Sequence, residues 1–377
     1  MRVRAHSSML LAIILTLTPS GSPAMAADAA KLGIGLALTG PVAYLSQQYL
    51  KGMKAAVDVI NREGGVGGGR PLELVERDHK GIPSEAVAVA KRFIEADRVD
   101  VVDIDLPSTV NIAVQGITKQ AKKPQITGFG FAPAVSEQDN PYHFRVCTNS
   151  ELIGEVLGKA IHQVPNNKTI AMLAPNDDYG RGAIGQLTKA LEKLGGPKVV
   201  FADYYERTQT DFTAVLLKMK SLNPDTLYTD VRWSANVTLL KQMAELGIRK
   251  QLFGSQNFYN PQLIERAGEL LEGALMSVAW APVFQDAASK KFIEAYKRLH
   301  NEVPDDSASL GWTAAMTVAA ALRAAGPGAD GDAIRAALVK LEWQAPQGLI
   351  KFDAKGDARV PAHVLQVRGG AYHLLAK

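Results

Sequence analysis

Short apolar runs alternate with amphipathic helical stretches along nearly the whole chain, and the alternation starts twice. The first run, 32–38, contains only apolar residues and glycine, as a strand buried on both faces requires. Thr39-Gly40-Pro41 turns the chain. Leu50, Met53, Val57 and Ile60 then recur at helical spacing over 46–61, and the glycine cluster 64–69 ends that helix. Strands are expected at 72–76, 99–104 and 125–127, with helices at 83–96 and 109–121 between them. After Asn149 the rhythm restarts with a helix at 151–163. Strands at 169–173, 199–204, 226–229 and 252–254 then alternate with helices at 180–194, 211–222, 234–246 and 261–267. This pattern specifies the α/β class: parallel, doubly wound sheets with helices on both faces. Two restarts specify two lobes, and the short joint at 145–149 leaves them closely apposed. The remaining segments are helices at 287–300, 307–325 and 331–340 and short strands at 274–279, 348–352 and 363–367. They are too few to form a third sheet, so they complete the two lobes and the chain recrosses between them.

The amino terminus has the order of a secretory signal. Arg2 and Arg4 precede the apolar run 9–17, which is interrupted by Pro19 and Pro23 and followed by Ala24-Met25-Ala26. The apolar run is too short to span a bilayer core of about 30 Å. A cleavable signal peptide over 1–27 and a periplasmic mature chain are therefore expected. No cysteine lies near the cleavage site to carry a lipid. Removing Arg2 and Arg4 lowers the formal net charge by two from +4, and no block of like charges appears. Nucleic acid and anionic membrane are thus not the expected partners. Cys147 is the only cysteine, so no disulfide can form within the chain. Its place at the joint suits a small buried hydrophobe better than a nucleophile.

Signals for catalysis and for cofactors are weak. Gly33-x-Gly35 lacks the rest of a dinucleotide fingerprint, and no phosphate loop or Gly-x-Ser-x-Gly elbow occurs. The histidines are scattered, and His79 beside Asp78 has no partner at zinc-ligand spacing. An enzyme, a metal site and a bound cofactor are not expected.

An ordered set of segments carries a family resemblance. Leu36-Ala37-Leu38-Thr39-Gly40-Pro41-Val42-Ala43-Tyr44 is followed by Gly52, Ala55, Asn61, Gly64-Gly65-Val66 and Asp78. Later come Asp177-Asp178-Tyr179-Gly180-Arg181-Gly182, Asp211-Phe212, Phe352-Asp353 and Gly356-Asp357. Together these resemble the branched-chain amino-acid (leucine/isoleucine/valine) type periplasmic substrate-binding proteins of ABC importers, over essentially the whole mature chain. The resemblance implies the type I periplasmic binding protein fold, with two Rossmann-like lobes, a three-segment hinge and a ligand between the lobes. Lobe I would comprise 31–146 plus 282–348, and lobe II 149–277 plus 356–377. It also implies a monomer that delivers a small carboxylate solute to an inner-membrane ABC permease and its ATPase.

Candidate ligand-binding residues follow from strand ends in both lobes, where doubly wound sheets bind. Ser108 and Thr109 open a helix after a strand. Their hydroxyls cap that helix, or they join its positive end in seating a carboxylate, as the resemblance implies. Phe129 and Phe131 stand where the family has small or hydroxyl residues, and they either floor an apolar pocket or enter the core. Tyr44 in the first lobe and Tyr179 in the second match aromatic positions facing the ligand, with surface or hinge packing as the alternative. Arg232 clamps an anion, with Trp233 stacking beside it, or it pairs with Asp230. Gln256 replaces a residue that is often acidic in amino-acid-binding members and that accepts the ligand's ammonium. A neutral amide is a weaker partner for a desolvated ammonium.

The expected cargo is a branched-chain or other hydrophobic amino acid. A non-amino aromatic or organic carboxylate stands beside it, favoured by Gln256, Phe129 and Phe131. A periplasmic sensor subunit that presents ligand to a signalling receptor would use the same fold.

Overall fold

The computed structural model describes residues 28–375, with the side chains of Trp233, Ser234 and Pro261 outside the description. The signal-peptide expectation over 1–27 lies outside the described residues. The first sheet contains β1 (Ala30–Leu36), β2 (Leu72–Asp78), β3 (Val101–Ile104), β4 (Gln125–Thr127) and β5 (His143–Arg145) in the order β2-β1-β3-β4-β5. All of its pairings are parallel. Its crossovers are α1 (Ala43–Arg62), α2 (Pro83–Glu95) and α3 (Ser108–Gln120). Leu32, Ile34, Val101 and Ile126 are buried, and burial on both faces is why β1 reads as an apolar run from Leu32 onward, whereas β3 carries the buried Asp103 and β4 the buried Gln125 and Thr127.

The second unit begins with α4 (Ser150–His162), β6 (Thr169–Pro175), α5 (Asp178–Leu194), β7 (Lys198–Tyr205) and α6 (Thr213–Leu222). It continues through β8 (Thr226–Thr229), α7 (Trp233–Glu245), β9 (Gln251–Gly254), α8 (Pro261–Ala267) and β10 (Leu275–Val278). The chain then runs through α9 (Ala287–His300), α10 (Asp306–Ala325), α11 (Gly331–Val339), β11 (Glu342–Ala345), β12 (Gly348–Lys351), β13 (His363–Arg368) and β14 (Ala371–Leu374). The second sheet has the order β14-β13-β10-β9-β8-β6-β7, with β13 and β14 added antiparallel at one edge. The architecture is the two-lobed, doubly wound α/β arrangement expected from the sequence.

Three elements were not legible in advance. β5 is only three residues long and contains His143 and Arg145. β14 is mostly exposed and shows no apolar alternation. β11 pairs only with β12, so a small third sheet exists where none was expected. Its turn is fixed by tertiary contact: the buried Gln347 donates to Ser309 Oγ at 2.8 Å and accepts from Thr313 Oγ1 at 2.5 Å, both on α10.

The chain passes between the sheets after β5, after β10 and between β12 and β13. The first and third passages lie side by side. The Arg145 amide donates to the Gly356 carbonyl at 2.8 Å, and the Ala358 amide to the Arg145 carbonyl at 2.9 Å. The Arg145 guanidinium grips Asp357 with two bonds, Nε to Oδ1 at 2.9 Å and Nη2 to Oδ2 at 2.5 Å. Gly356 has φ 79°, and a Cβ there would lie 2.2 Å from the His143 carbonyl oxygen. Only glycine fits that turn. Cys147 is buried at this joint, burial pushes its thiol pKa up, and it donates weakly to the Gly130 carbonyl.

Candidate functional site

The carboxyl ends of strands from both sheets converge on one cavity. Its first wall is Val42 and Leu45 after β1, Leu106, Pro107 and Ser108 after β3, and Phe129 and Phe131 after β4. Its second wall is Tyr179 after β6, Arg207 after β7, and Gln256 and Asn257 after β9. The space between their atoms is about 340 Å³.

An aromatic series crosses the cleft. Tyr49 meets Phe129 edge-on at 6.4 Å between centroids, Phe129 lies 5.0 Å from Phe131, and Phe131 lies 6.0 Å from Tyr179 on the opposite wall. Such pairs contribute roughly 0.5–1.5 kcal/mol each beyond area burial. Both phenylalanines are thus part of the core and also line the cavity, so the two alternatives for them are not exclusive.

The loop that presents them is fixed from beneath. Asp105 Oδ2 accepts the amides of Gly128 at 2.7 Å and Phe129 at 3.1 Å, while Asn111 Nδ2 donates to Oδ1 at 3.1 Å. Tyr49 Oη donates to Asp103 Oδ2 at 2.7 Å. Burial raises the pKa of both carboxyls, and for Asp103 the charge of Asp105 adds to it. From the other side, Arg145 Nη1 donates to the carbonyls of Gly130 at 3.1 Å and Ala132 at 2.9 Å, and Ser150 Oγ to that of Phe131 at 2.9 Å. The interlobe joint and the cleft floor therefore share one guanidinium.

Ser108 is the first residue of α3 and lines the cavity, but its side chain does not cap the helix. Ser108 Oγ instead accepts the Ala132 amide at 3.3 Å, tying α3 to the aromatic loop. No side chain caps α3, so its first turn carries partial positive charge toward the cleft. Thr109 is half-buried and lies outside the cavity lining.

Behind the second wall Asp230 is buried and holds four neutral donors. Tyr179 Oη donates at 2.6 Å and Tyr228 Oη at 3.2 Å to Oδ2, and Ser255 Oγ and Asn257 Nδ2 donate at 2.7 Å to Oδ1. Burial, followed by the charge of Asp230, raises the Tyr179 pKa, so its hydroxyl stays protonated. Gln256 Nε2 reaches Tyr179 Oη at 3.4 Å.

Arg232 does not pair with Asp230. Its amide donates to Tyr205 Oη at 2.8 Å and its Nη1 to the Gln209 carbonyl at 2.7 Å, outside the cavity lining. The Trp233 side chain expected beside it lies outside the described ones. Tyr44 also lies outside the lining: its Oη donates to Asp305 Oδ2 at 3.4 Å, at the start of α10. Of the eight sequence candidates, the fold brings Ser108, Phe129, Phe131, Tyr179 and Gln256 to one cavity and leaves Tyr44, Thr109 and Arg232 around it.

Two polar lining residues escaped sequence reading, Arg207 and Asn257. The usable signal for Arg207 was its position two residues past the end of β7, where a doubly wound sheet presents its binding loops. Arg207 is the one charged residue among those lining the cavity. Among the described residues no group of three or more His, Cys, Asp or Glu could hold a metal ion, and no helix is long and apolar enough to cross a membrane.

Comparison with known proteins matches residues 29–371 to the periplasmic binding protein family. A leucine-, isoleucine-, valine-, threonine- and alanine-binding protein of Pseudomonas aeruginosa is 29% identical over 338 residues, covering 90% of this chain and 89% of its own. The crystal structure of a leucine binding protein from Thermotoga maritima superposes with a TM-score of 0.83 at 25% identity, over 92% of this chain and 98% of that one. A solute binding protein of an ABC transporter from Rhodopseudomonas palustris, in complex with 3,4-dihydroxybenzoic acid, shares the fold with a TM-score of 0.83 at 23% identity, over 92% and 95% of the two chains.

Proposed function

Because this chain belongs to the periplasmic binding protein family, we propose that it is the solute-binding component of an ABC import system. It holds a small carboxylate with an apolar body between its lobes and delivers it to an inner-membrane permease and its ATPase. The cargo is a hydrophobic amino acid, the class for which its Pseudomonas aeruginosa relative is named. The observation that carries the reading is the cavity formed by strand ends of both sheets. Its first wall is mainly apolar and ends at the start of α3, and its second wall is polar and carries Arg207. Ligand that touches both walls stabilises the closed arrangement and so shifts the lobes toward it. In this reading 31–146 with 282–348 moves as one body, and 149–277 with 356–377 as the other. In this reading residues 1–27 are an export signal, and the mature chain acts in the periplasm by binding rather than by catalysis.

A second cargo, an aromatic carboxylate without an ammonium group, is favoured by the charge inventory of the site. Among the described residues no acid lines the cavity, Asp230 is occupied by four neutral donors, and Gln256 stands where an acceptor for ammonium would be needed. Thermal-shift measurements on the purified mature chain test both cargoes, using leucine, isoleucine, phenylalanine, benzoate and 4-hydroxybenzoate. Stabilisation by the amino acids supports the first cargo, and stabilisation by the benzoates alone replaces it with the second. No shift with any carboxylate refutes the binding reading. Gln256→Glu is expected to improve leucine binding relative to 4-methylpentanoate, which lacks the ammonium.

A further inference from the structure

We infer that Arg207 is the specificity-determining cation of the cleft, receiving the anionic group of the cargo on its guanidinium fork. This rests on the binding reading above and adds a residue that sequence reading had not assigned. Arg207 lines the cavity from the second wall, and its side chain retains 21% exposure there. Its Nε is held by Asp177 Oδ2 at 2.5 Å. Asp177 is itself fixed, because its Oδ1 accepts the Gly180 amide at 3.0 Å as the N-cap of α5. The terminal nitrogens Nη1 and Nη2 make no hydrogen bond among the described residues.

The geometry is that of a preorganised receptor. One edge of the guanidinium is anchored by a carboxylate, and the other edge is left for a planar acceptor that a carboxylate matches bidentately. Burial opposes the charge of Arg207, and Asp177 and Tyr205 offset that cost, so the side chain remains cationic. Arg232 acts on Arg207 with the same sign of charge and adds to the positive field of this corner. Among the described residues no acid lines the cavity to compete for the fork. The start of α3 on the opposite wall contributes only partial charge, so a whole negative charge finds its full counter-charge at Arg207. The site therefore discriminates by the charge of the head group, and the aromatic wall is left to read the body.

The test is isothermal titration of the mature protein and of Arg207→Met. The probes are leucine, phenylalanine, benzoate and 4-hydroxybenzoate, each measured against its primary amide, which has nearly the same shape without the negative charge. The double variant Arg207→Met/Asp177→Asn serves as the control, because it leaves no carboxylate unpaired. In the wild type the bound carboxylate is expected to exceed its amide by at least about 100-fold. In both variants carboxylate affinity is expected to fall by about 30- to 1,000-fold while amide affinity holds, so that the preference collapses. If the wild type binds a carboxylate and the double variant keeps the carboxylate-to-amide ratio, the assignment of Arg207 is overturned and the binding reading survives. If the wild type binds none of the carboxylates, the binding reading fails and Arg207 falls with it.

Discussion

Replacing Asp357 by Ala removes one half of the ion pair that fastens the first passage between the lobes to the third. Arg145 is 2% exposed and Asp357 10%, so water cannot replace the lost partner. Leaving one charge of a buried pair uncompensated costs roughly 3–5 kcal/mol. Arg145 keeps its bonds to the Gly130 and Ala132 carbonyls, which places the expected loss near the lower end, about 3 kcal/mol. Unfolding entropy of about 2.1 cal/mol/K per residue, over roughly 350 residues, converts this to a fall in Tm of about 4 °C. Differential scanning calorimetry of ligand-free protein measures it directly. The double variant Arg145→Met/Asp357→Leu leaves no buried charge unpaired, so it should be less destabilised than the sum of its single variants by about 2 kcal/mol. A Tm for Asp357→Ala within about 1 °C of wild type would refute the reasoning, as would additivity in the double variant. Because Arg145 also positions the carbonyls beneath Phe129 and Phe131, Arg145→Met should weaken ligand binding as well as stability.

Gly182 on α5 faces Pro133 of the opposite lobe, and a Cβ there would lie 2.7 Å from Pro133 Cδ. Gly182→Ala should therefore hinder closure, lowering ligand affinity by about 5- to 30-fold while the ligand-free Tm stays put; unchanged affinity by titration would contradict this. Ser108→Ala should weaken carboxylate binding by about tenfold, and Thr109→Ala, outside the lining, by less than about twofold; the reverse order would move the seat. Burial raises the pKa of Asp306 to about 7. Between about pH 4 and 7 the folded chain then holds a proton that the unfolded chain releases, so this group's contribution to stability declines as pH rises. Asp306→Asn keeps an oxygen for the Trp280 amide, which donates at 2.7 Å. It should be more stable than wild type at pH 8 with the gain vanishing near pH 4.5, and a pH-independent difference would show that Asp306 is not the group responsible. Burial, then the charge of Arg145, lowers His143 to about 3. That group's stabilisation is complete above about pH 6.5 and is lost as pH falls toward 3, so its ring should remain neutral by NMR at pH 5.

The local periodicity of the chain determined the fold class, the two restarting lobes and most element boundaries. Burial on both faces of β1 forces the apolar run from Leu32 to Leu36, and that run is visible without coordinates. Ser108, Phe129, Phe131, Tyr179 and Gln256 were legible as residues lining the cavity because each closely follows a strand end or opens the helix after it. What local sequence does not encode is the rotation of each loop and the partner that captures its side chain. Arg232 and Arg207 both follow strands of the second sheet, yet one guanidinium is taken by the Gln209 carbonyl and the other faces the cleft. Asp230 and Asp177 are both acids at strand ends, yet one binds only neutral donors and the other anchors the cation. Those outcomes depend on contacts between residues far apart in the chain, through hydrogen bonds that act only within about 3 Å. The sequence by itself determined that a cleft would exist and which strand ends would face it; only the tertiary structure decided which charge stands in it.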